Sequence, residues 1–243
     1  MRDDLESLPF PALVVAGNMD TGNKHTQVPG PISSRNDPDL NVTSAQIRRF
    51  SSHFGELNWS FIHKGVRFIG ICTMVAGSSL PEEEELWRLI GQLDEAPVEN
   101  TVWVMHYPLF IDRPDEPDFD ITDPDHYRDW YFGIDRGPRS RLMKAIESTG
   151  ANLVLSGHVH CRKTHHTGGI RFDIAPSTAF PQWGDRWDDG DPALGFIVYE
   201  VQDGAITPEF VPLREISDAE GYGPGGHPSP EKRDYSRAWA RDP

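Results

Sequence analysis

The sequence predicts an α/β fold, a β-sheet sandwich flanked by helices, and three observations lead there. Apolar runs of strand length alternate with segments whose apolar residues recur at helical spacing. Three of those runs end in polar motifs: Gly17-Asn18-Met19-Asp20, Met105-His106-Tyr107-Pro108 and Gly157-His158-Val159-His160. Functional groups of open α/β sheets gather at the carboxyl ends of strands, so these three ends deliver one amide and three imidazoles. At 243 residues, with no repeat at a fixed period, one large domain with a substantial core is the expected unit.

Taken in order, Asp3 to Leu8 reads as the end of a helix, stopped by Pro9 ahead of the strand-like run Ala12-Leu13-Val14-Val15-Ala16. Gly22 to Asn41 is rich in Gly, Pro, Asn and Ser and reads as a loop. From Thr43, Ile47, Phe50 and Phe54 recur at helical spacing until Gly55. Trp59 to Ile62, a His63-Lys64-Gly65 turn and Val66 to Ile71 form a hairpin pattern. Pro81 opens a helix with an apolar stripe of Leu86, Leu89, Ile90 and Leu93, and the run Glu82 to Glu85 lies in its first turn, where the helix dipole favours negative charge.

Thr101 to Met105 is a buried-type strand ending at His106, followed by a long acidic and aromatic excursion from Pro108 to Phe132. Arg139 to Thr149 is helical by Leu142, Met143 and Ile146, stopped by Gly150, and Asn152 to Ser156 is the strand that delivers Gly157-His158. Ile170 to Ile174 and Gly195 to Val201 alternate as strands, and Glu209 to Leu213 adds one more candidate. Ser217 to Pro243 is dominated by Gly, Pro and charge, so it is expected to be mobile or to lie loosely on the surface.

Lysine plus arginine number 23 against 38 acidic residues, a formal net charge of −15 that repels nucleic acid polymers and anionic membranes. A small anionic substrate stays compatible with this charge, because bound divalent cations reverse the potential locally. Two cysteines, Cys72 and Cys161, make no disulfide framework, no secretory leader opens the chain, and every apolar run is too short to span a bilayer. A soluble protein of the reducing cytoplasm is expected.

His158 and His160 are two apart, so in extended conformation both imidazoles point the same way, toward one metal or two adjacent ones. A lone His-x-His is weak evidence in a chain with ten histidines, but its coincidence with Gly-Asn-x-Asp and a strand-end histidine is not. The ordered pattern resembles the calcineurin-like metallophosphoesterase superfamily, whose blocks are Asp-x-His, Gly-Asp, Gly-Asn-His-Asp or Glu, a strand-end His, and Gly-His-x-His. The last three of these five are present, and the resemblance runs from about Leu8 to about Leu213.

The resemblance implies a four-layer α/β/β/α sandwich, here N-terminally incomplete, with residues 1–216 as the phosphoesterase domain and 217–243 as a tail. It implies hydrolysis of phosphomonoesters or phosphodiesters by a metal-activated hydroxide, with two divalent ions among manganese, iron and zinc. Carried over by position, Asn18, His106 and His158 would hold one metal and His160 would belong to the other. The Asp-x-His ligands and the bridging Gly-Asp carboxylate have no counterpart, so one ion is the expectation for these residues. Two ions about 3.5–4 Å apart need a bridging carboxylate, and without it two-metal catalysis is not expected. A single ion with an open position still supplies Lewis acidity.

A second departure is Met19, at the position where the superfamily has the histidine that protonates the leaving oxygen. General acid help is worth about 10²–10⁴-fold, so its loss hurts poor leaving groups most and points to phosphodiesters ahead of monoesters. Met19 either fills space beside the site or marks a change of substrate class. Asp20, which in the superfamily orients that histidine from behind, is left without a catalytic partner, and His126 is a candidate substitute proton donor.

Two explanations fit the missing front blocks: Met1 is not the true start, the favoured one, or the protein is a short, non-catalytic domain that binds a metal or a phosphorylated ligand and acts through a partner. Absence of the first strands would leave an apolar sheet edge for an oligomer or partner to cover.

The carboxylates Asp112, Asp115, Glu116, Asp118, Asp120, Asp123 and Asp125 do not match calcium-loop spacing and read as a solvated acidic loop. Tyr127, Trp130, Tyr131 and Phe132 either pin that loop to the body or stack on a base or sugar. His165 and His166 fall in an apparent turn and are expected at the surface. Cys161 is expected to be a small buried residue rather than a thiolate ligand, and Pro181-Gln182-Trp183 either lines the pocket or packs in the core or at the rim. Sequons at Asn41 and Asn58 carry little meaning without a leader.

Overall fold

The computed structural model describes residues 2–25, 40–93, 96–118, 130–181, 187 and 189–216. These fall into two compact units, residues 1–158 with 165–172, and residues 159–164 with 173–243. The first unit carries helices α1 (Arg2–Glu6), α2 (Asn18–Thr21), α3 (Ser44–Phe54), α4 (Pro81–Gly91) and α5 (Arg136–Ser148). Its strands are β1 (Trp59–His63), β2 (Val66–Ile71), β3 (Asn100–Met105) and β4 (Leu153–Ser156), in a six-stranded sheet completed by β5 (Lys163–Thr167) and β6 (Ile170–Ile174) in the order β1-β2-β3-β4-β6-β5. This is the mixed α/β architecture the alternating pattern predicts.

The hairpin β1–β2 is antiparallel, with Trp59 opposite Gly70. A Cβ at Gly70 would stand 2.1 Å from the Trp59 ring, so the glycine lets the indole lie flat on the neighbouring strand. On its other side β2 is parallel to its neighbour: β2 pairs β3 with Ile71 opposite Met105, and β3 pairs β4 with Val104 opposite Leu155. Parallel neighbours require crossovers, and α5 supplies the one between β3 and β4. The consequence for function is directional. Both β3 and β4 end at the same edge, and there the Gly157 amide donates to the His106 carbonyl at 2.9 Å.

The core explains why these elements form. β2 and β3 are buried on both faces, with Ile69, Ile71, Trp103 and Met105 all at 2 % exposure or less, as continuous apolar runs of parallel strands require. Leu142 and Ile146 of α5, both fully buried, join the same cluster as Trp103, whose indole N–H donates to Thr149 at 3.0 Å. Helix α3 starts at Thr43, whose hydroxyl caps the Gln46 amide, and Ile47 and Phe50 give it a buried face. At α4 the acidic first turn does more than meet the dipole. Glu83 accepts hydrogen bonds from the Gly77 and Ser79 amides and the Trp87 indole, closing the loop ahead of the helix.

The run Ala12–Ala16 differs from its expected strand. It is paired with no ladder, and Leu13 is 55 % exposed. A strand exists only where a neighbour takes its backbone groups, and here the Val14 carbonyl accepts from the Trp59 indole instead, at 2.9 Å.

The acidic excursion also differs from a solvated loop. Asp112, Asp115 and Asp118 are exposed, but the Glu116 carboxylate is buried and takes the backbone amides of Ile111, Asp112 and Arg113. Arg139 reaches the carboxylate at 3.7 Å and also donates to the Glu116 carbonyl. Beside it, Lys24 and Asp135 form a buried ion pair at 2.6 Å. Residues Asp120, Asp123, Asp125, His126 and Tyr127 lie outside the described residues, as do Gln182, Trp183 and the segment 217–243.

His165 and His166 belong to β5 rather than to a turn, and His165 is half-buried with its ring 5.7 Å from that of Phe110.

The second unit is built on the antiparallel hairpin β7 (Gly195–Gln202) and β8 (Ala205–Pro212), closed by Asp203 and Gly204, both at positive φ as a tight hairpin turn requires. The sequence pattern stopped short of the start of β8, because Thr207 and Pro208 break its apolar alternation. Asp173 of this unit accepts from the Thr164 and Tyr199 hydroxyls at 2.6 and 2.7 Å, and Cys161 is buried, as expected.

Candidate metal centre

Three of the residues singled out by sequence meet at the carboxyl edge of β3 and β4. The Asn18 side-chain oxygen lies 2.9 Å from His106 Nε2, and His158 Nδ1 lies 3.2 Å from the same nitrogen. Asn18 opens the short helix α2, His106 follows β3 directly, and His158 follows β4 after one glycine. Gly17 packs closely against this site, since a Cβ there would stand 3.2 Å from the His106 ring.

Hydrogen-bond partners decide which atoms face inward. The Asn18 amide nitrogen donates to the Asn23 side-chain oxygen at 3.0 Å and to the Tyr131 hydroxyl at 3.3 Å, which turns its oxygen toward His106. Tyr107 donates its hydroxyl to the same Asn23 oxygen at 3.4 Å. His158 Nε2 faces the Tyr131 carbonyl at 3.1 Å, which can only accept, so the ring proton sits there and the lone pair sits on Nδ1. The His158 ring is buried among aromatics, with Tyr107 at 3.8 Å and Tyr131 at 4.9 Å between centroids.

The resulting site gathers three polar atoms: the Asn18 oxygen and His158 Nδ1 each lie beside His106 Nε2. A divalent ion suits the same place, because metal–ligand bonds of about 2.1 Å at about 90–109° put neighbouring donors roughly 3.0–3.4 Å apart. The donors are imidazole and amide oxygen, which suit zinc, manganese or iron, and all three are neutral. Among the described residues no group of three or more His, Cys, Asp or Glu side chains is arranged to hold a metal, and this set differs from such a group in including an amide.

His160 lies in the second unit, and the His-x-His segment is not extended. His158 and His160 both take the left-handed conformation, with φ of 66° and 54°, so the alternation argument for two parallel imidazoles does not apply. Left-handed backbone at non-glycine residues is costly, and two such residues in one turn at a strand end are a mark of functional constraint. The His160 ring packs edge-on against Phe180 at 4.4 Å.

Met19 does not fill space beside the site: it is 73 % exposed. Asp20, expected behind it, accepts from the Gly17 amide at 2.9 Å and so shapes the α2 turn. Pro181 is buried. Two contributors were not legible from motif spacing. Asn23 and Tyr131 contact Asn18 from 5 and 113 positions away, and nothing in a linear pattern links them.

No protein-family model matches the chain. It is 27 % identical over 218 residues to the serine/threonine-protein phosphatase CPPED1 of Danio rerio, covering 86 % of this chain and 59 % of that protein. It is 25 % identical over 159 residues to the Homo sapiens protein of the same name, covering 62 % of this chain and 42 % of that one. The chain thus spans about half the length of the curated relatives it matches. The purple acid phosphatase PPD1 from yellow lupin (Lupinus luteus) seeds superposes with a TM-score of 0.52 at 13 % identity, over 83 % of this chain and 38 % of that one, which shows the fold. The chain is thus similar in sequence to these phosphatases and shares the fold of the lupin enzyme, and its ordered strand-end motifs resemble those of the calcineurin-like metallophosphoesterase superfamily.

Proposed function

We propose that the chain carries a phosphoesterase site that binds one divalent metal on Asn18, His106 and His158 and acts on phosphate esters with good leaving groups, phosphodiesters ahead of monoesters. The convergence of the Asn18 oxygen and His158 Nδ1 on His106 Nε2, both within 3.2 Å of it, carries this reading. A divalent ion there supplies Lewis acidity toward a phosphoryl oxygen. The protein's own part is to hold that ion on neutral donors, to shield the His158 ring with Tyr107 and Tyr131, and to leave the departing oxygen without a histidine proton donor at position 19. The preference for good leaving groups follows from that last feature.

The test is hydrolysis of a nitrophenyl phosphodiester and a nitrophenyl phosphomonoester with manganese added, in the wild type and in His106→Ala. Wild-type turnover of the diester that His106→Ala loses is the expected result; equal rates in the two proteins overturn the assigned site. A phosphoserine peptide belongs in the same assay, because the two CPPED1 relatives are named as serine/threonine-protein phosphatases. Turnover of the peptide ahead of the diester would move the substrate class to phosphoproteins.

The all-neutral donor set favours one other reading, a non-catalytic domain that binds a metal or phosphorylated ligand and works with a partner. Metal binding at one ion per chain, with no hydrolysis above the His106→Ala rate, would establish it. No helix among the described residues is long and apolar enough to cross a membrane. Cys72 and Cys161 are both buried, which fits a reducing compartment, and a cytoplasmic location is part of this proposal.

A further inference from the structure

We propose that Tyr131 is a positioning residue for the metal centre, fixing Asn18 through its side chain and His158 through its backbone; this rests on the metal reading above. A neutral amide is a metal ligand only in one of its two flips, because the other presents an NH2 group to the cation. At Asn18 the flip is set from outside: the Tyr131 hydroxyl at 3.3 Å and the Asn23 oxygen at 3.0 Å both take the amide hydrogens. Histidine ligation has the same ambiguity in its tautomer, and the Tyr131 carbonyl at 3.1 Å settles it for His158 by holding the proton on Nε2. One residue thus presents the correct lone pair on two of the three ligands.

The placement of Tyr131 is itself well supported. It lies between Trp130, over which Lys24 sits at 4.9 Å, and Phe132, which is fully buried. Lys24 is paired in turn with Asp135, just past the same segment. The segment 130–135 is therefore anchored on both sides of Tyr131, so its hydroxyl and carbonyl are held in place rather than free to follow the ligands. This separates it from a ring that merely pins a loop.

The test is the manganese dissociation constant measured by isothermal titration, with thermal unfolding as a fold control. Tyr131→Phe keeps the ring and the carbonyl and removes only the hydroxyl. It is expected to weaken binding about 10-fold, the lower range for partners that orient metal ligands, with the melting temperature unchanged. The pair is then repeated in an Asn18→Asp background. A carboxylate offers oxygen on either face, so there the effect of Tyr131→Phe is expected to shrink to within about twofold, a non-additivity that a purely structural role would not produce. If the wild type binds manganese and His106→Ala does not, yet Tyr131→Phe binds within twofold of wild type, the positioning role is overturned. An equal loss in both backgrounds also overturns it. If the wild type and His106→Ala bind alike, the metal reading fails instead. Asn23→Ala, which removes the other acceptor of the same amide, is expected to weaken manganese binding in the same way, and gives an independent check should Tyr131→Phe fold poorly.

Discussion

His158 Nδ1 stands 3.2 Å from His106 Nε2, although the two residues are 52 positions apart and neither lies within a strand. The parallel register of β3 and β4 brings them together, and the Tyr131 carbonyl decides which nitrogen of His158 faces in. Replacing either histidine by alanine removes one of three donors. Manganese affinity is expected to fall by more than about 100-fold, beyond the roughly 10–100-fold typical of residues that only orient ligands. Titration calorimetry checks this, and a loss of less than tenfold in either variant would contradict the arrangement.

Gly17 is packed against the same ring. A methyl group there would meet His106 Cε1 at 3.2 Å and the Asp20 carboxylate at 3.3 Å. Gly17→Ala is expected to destabilise the fold by about 1–3 kcal/mol, the usual range for overpacking, and to displace His106 from Asn18. Chemical denaturation gives the first effect and metal titration the second; unchanged values in both would mean that the turn accommodates a side chain.

Lys24 and Asp135 are buried together, with side chains 3 % and 4 % exposed, and burial holds the Lys24 pKa below its ordinary value despite the carboxylate beside it. Removing one partner strands the other charge, so Lys24→Met is expected to cost about 3–5 kcal/mol of stability. Lys24→Met with Asp135→Leu should recover much of that loss. Urea unfolding of the four proteins checks it, and additive losses would mean that the two side chains are not coupled.

Cys72 is fully buried, and burial pushes its thiol up from 9.0 to about 12. The folded protein then holds this proton more tightly than the unfolded chain does. Its contribution is intact below about pH 9 and is lost as pH rises toward 12. Melting temperature is expected to fall more steeply over that window in the wild type than in Cys72→Ala. At pH 8 an alkylating reagent should leave Cys72 unmodified until the protein is unfolded. Equal slopes, or alkylation of Cys72 in the native protein, would count against the burial account.

Met19 is 73 % exposed, so a histidine can replace it without disturbing the core. If position 19 is where the leaving oxygen lacks a proton donor, Met19→His is expected to raise turnover of unactivated esters by up to about 10²-fold and of nitrophenyl esters much less. Parallel rates for alkyl and nitrophenyl esters in the two proteins would refute that role.

The sequence by itself determined the alternation of strands and helices, the three strand-end motifs and the three residues proposed as ligands. Each of these is a local property: strand-length apolar runs reveal β2 and β3 because both faces are buried, and a histidine directly after such a run must emerge at the sheet's edge. Local pattern misled where pairing decided the outcome. Ala12–Ala16 has a strand's composition without a ladder, and His158-Val159-His160 turns left-handed where alternation assumes extension. Only the tertiary structure decided that Glu116 is buried while Asp112, Asp115 and Asp118 are exposed, and that Asn23 and Tyr131 lie where they orient the Asn18 amide and the His158 ring. The physical reason is that ligand identity resides in single residues, whereas ligand orientation is a hydrogen-bonding choice made by whichever groups the fold brings alongside.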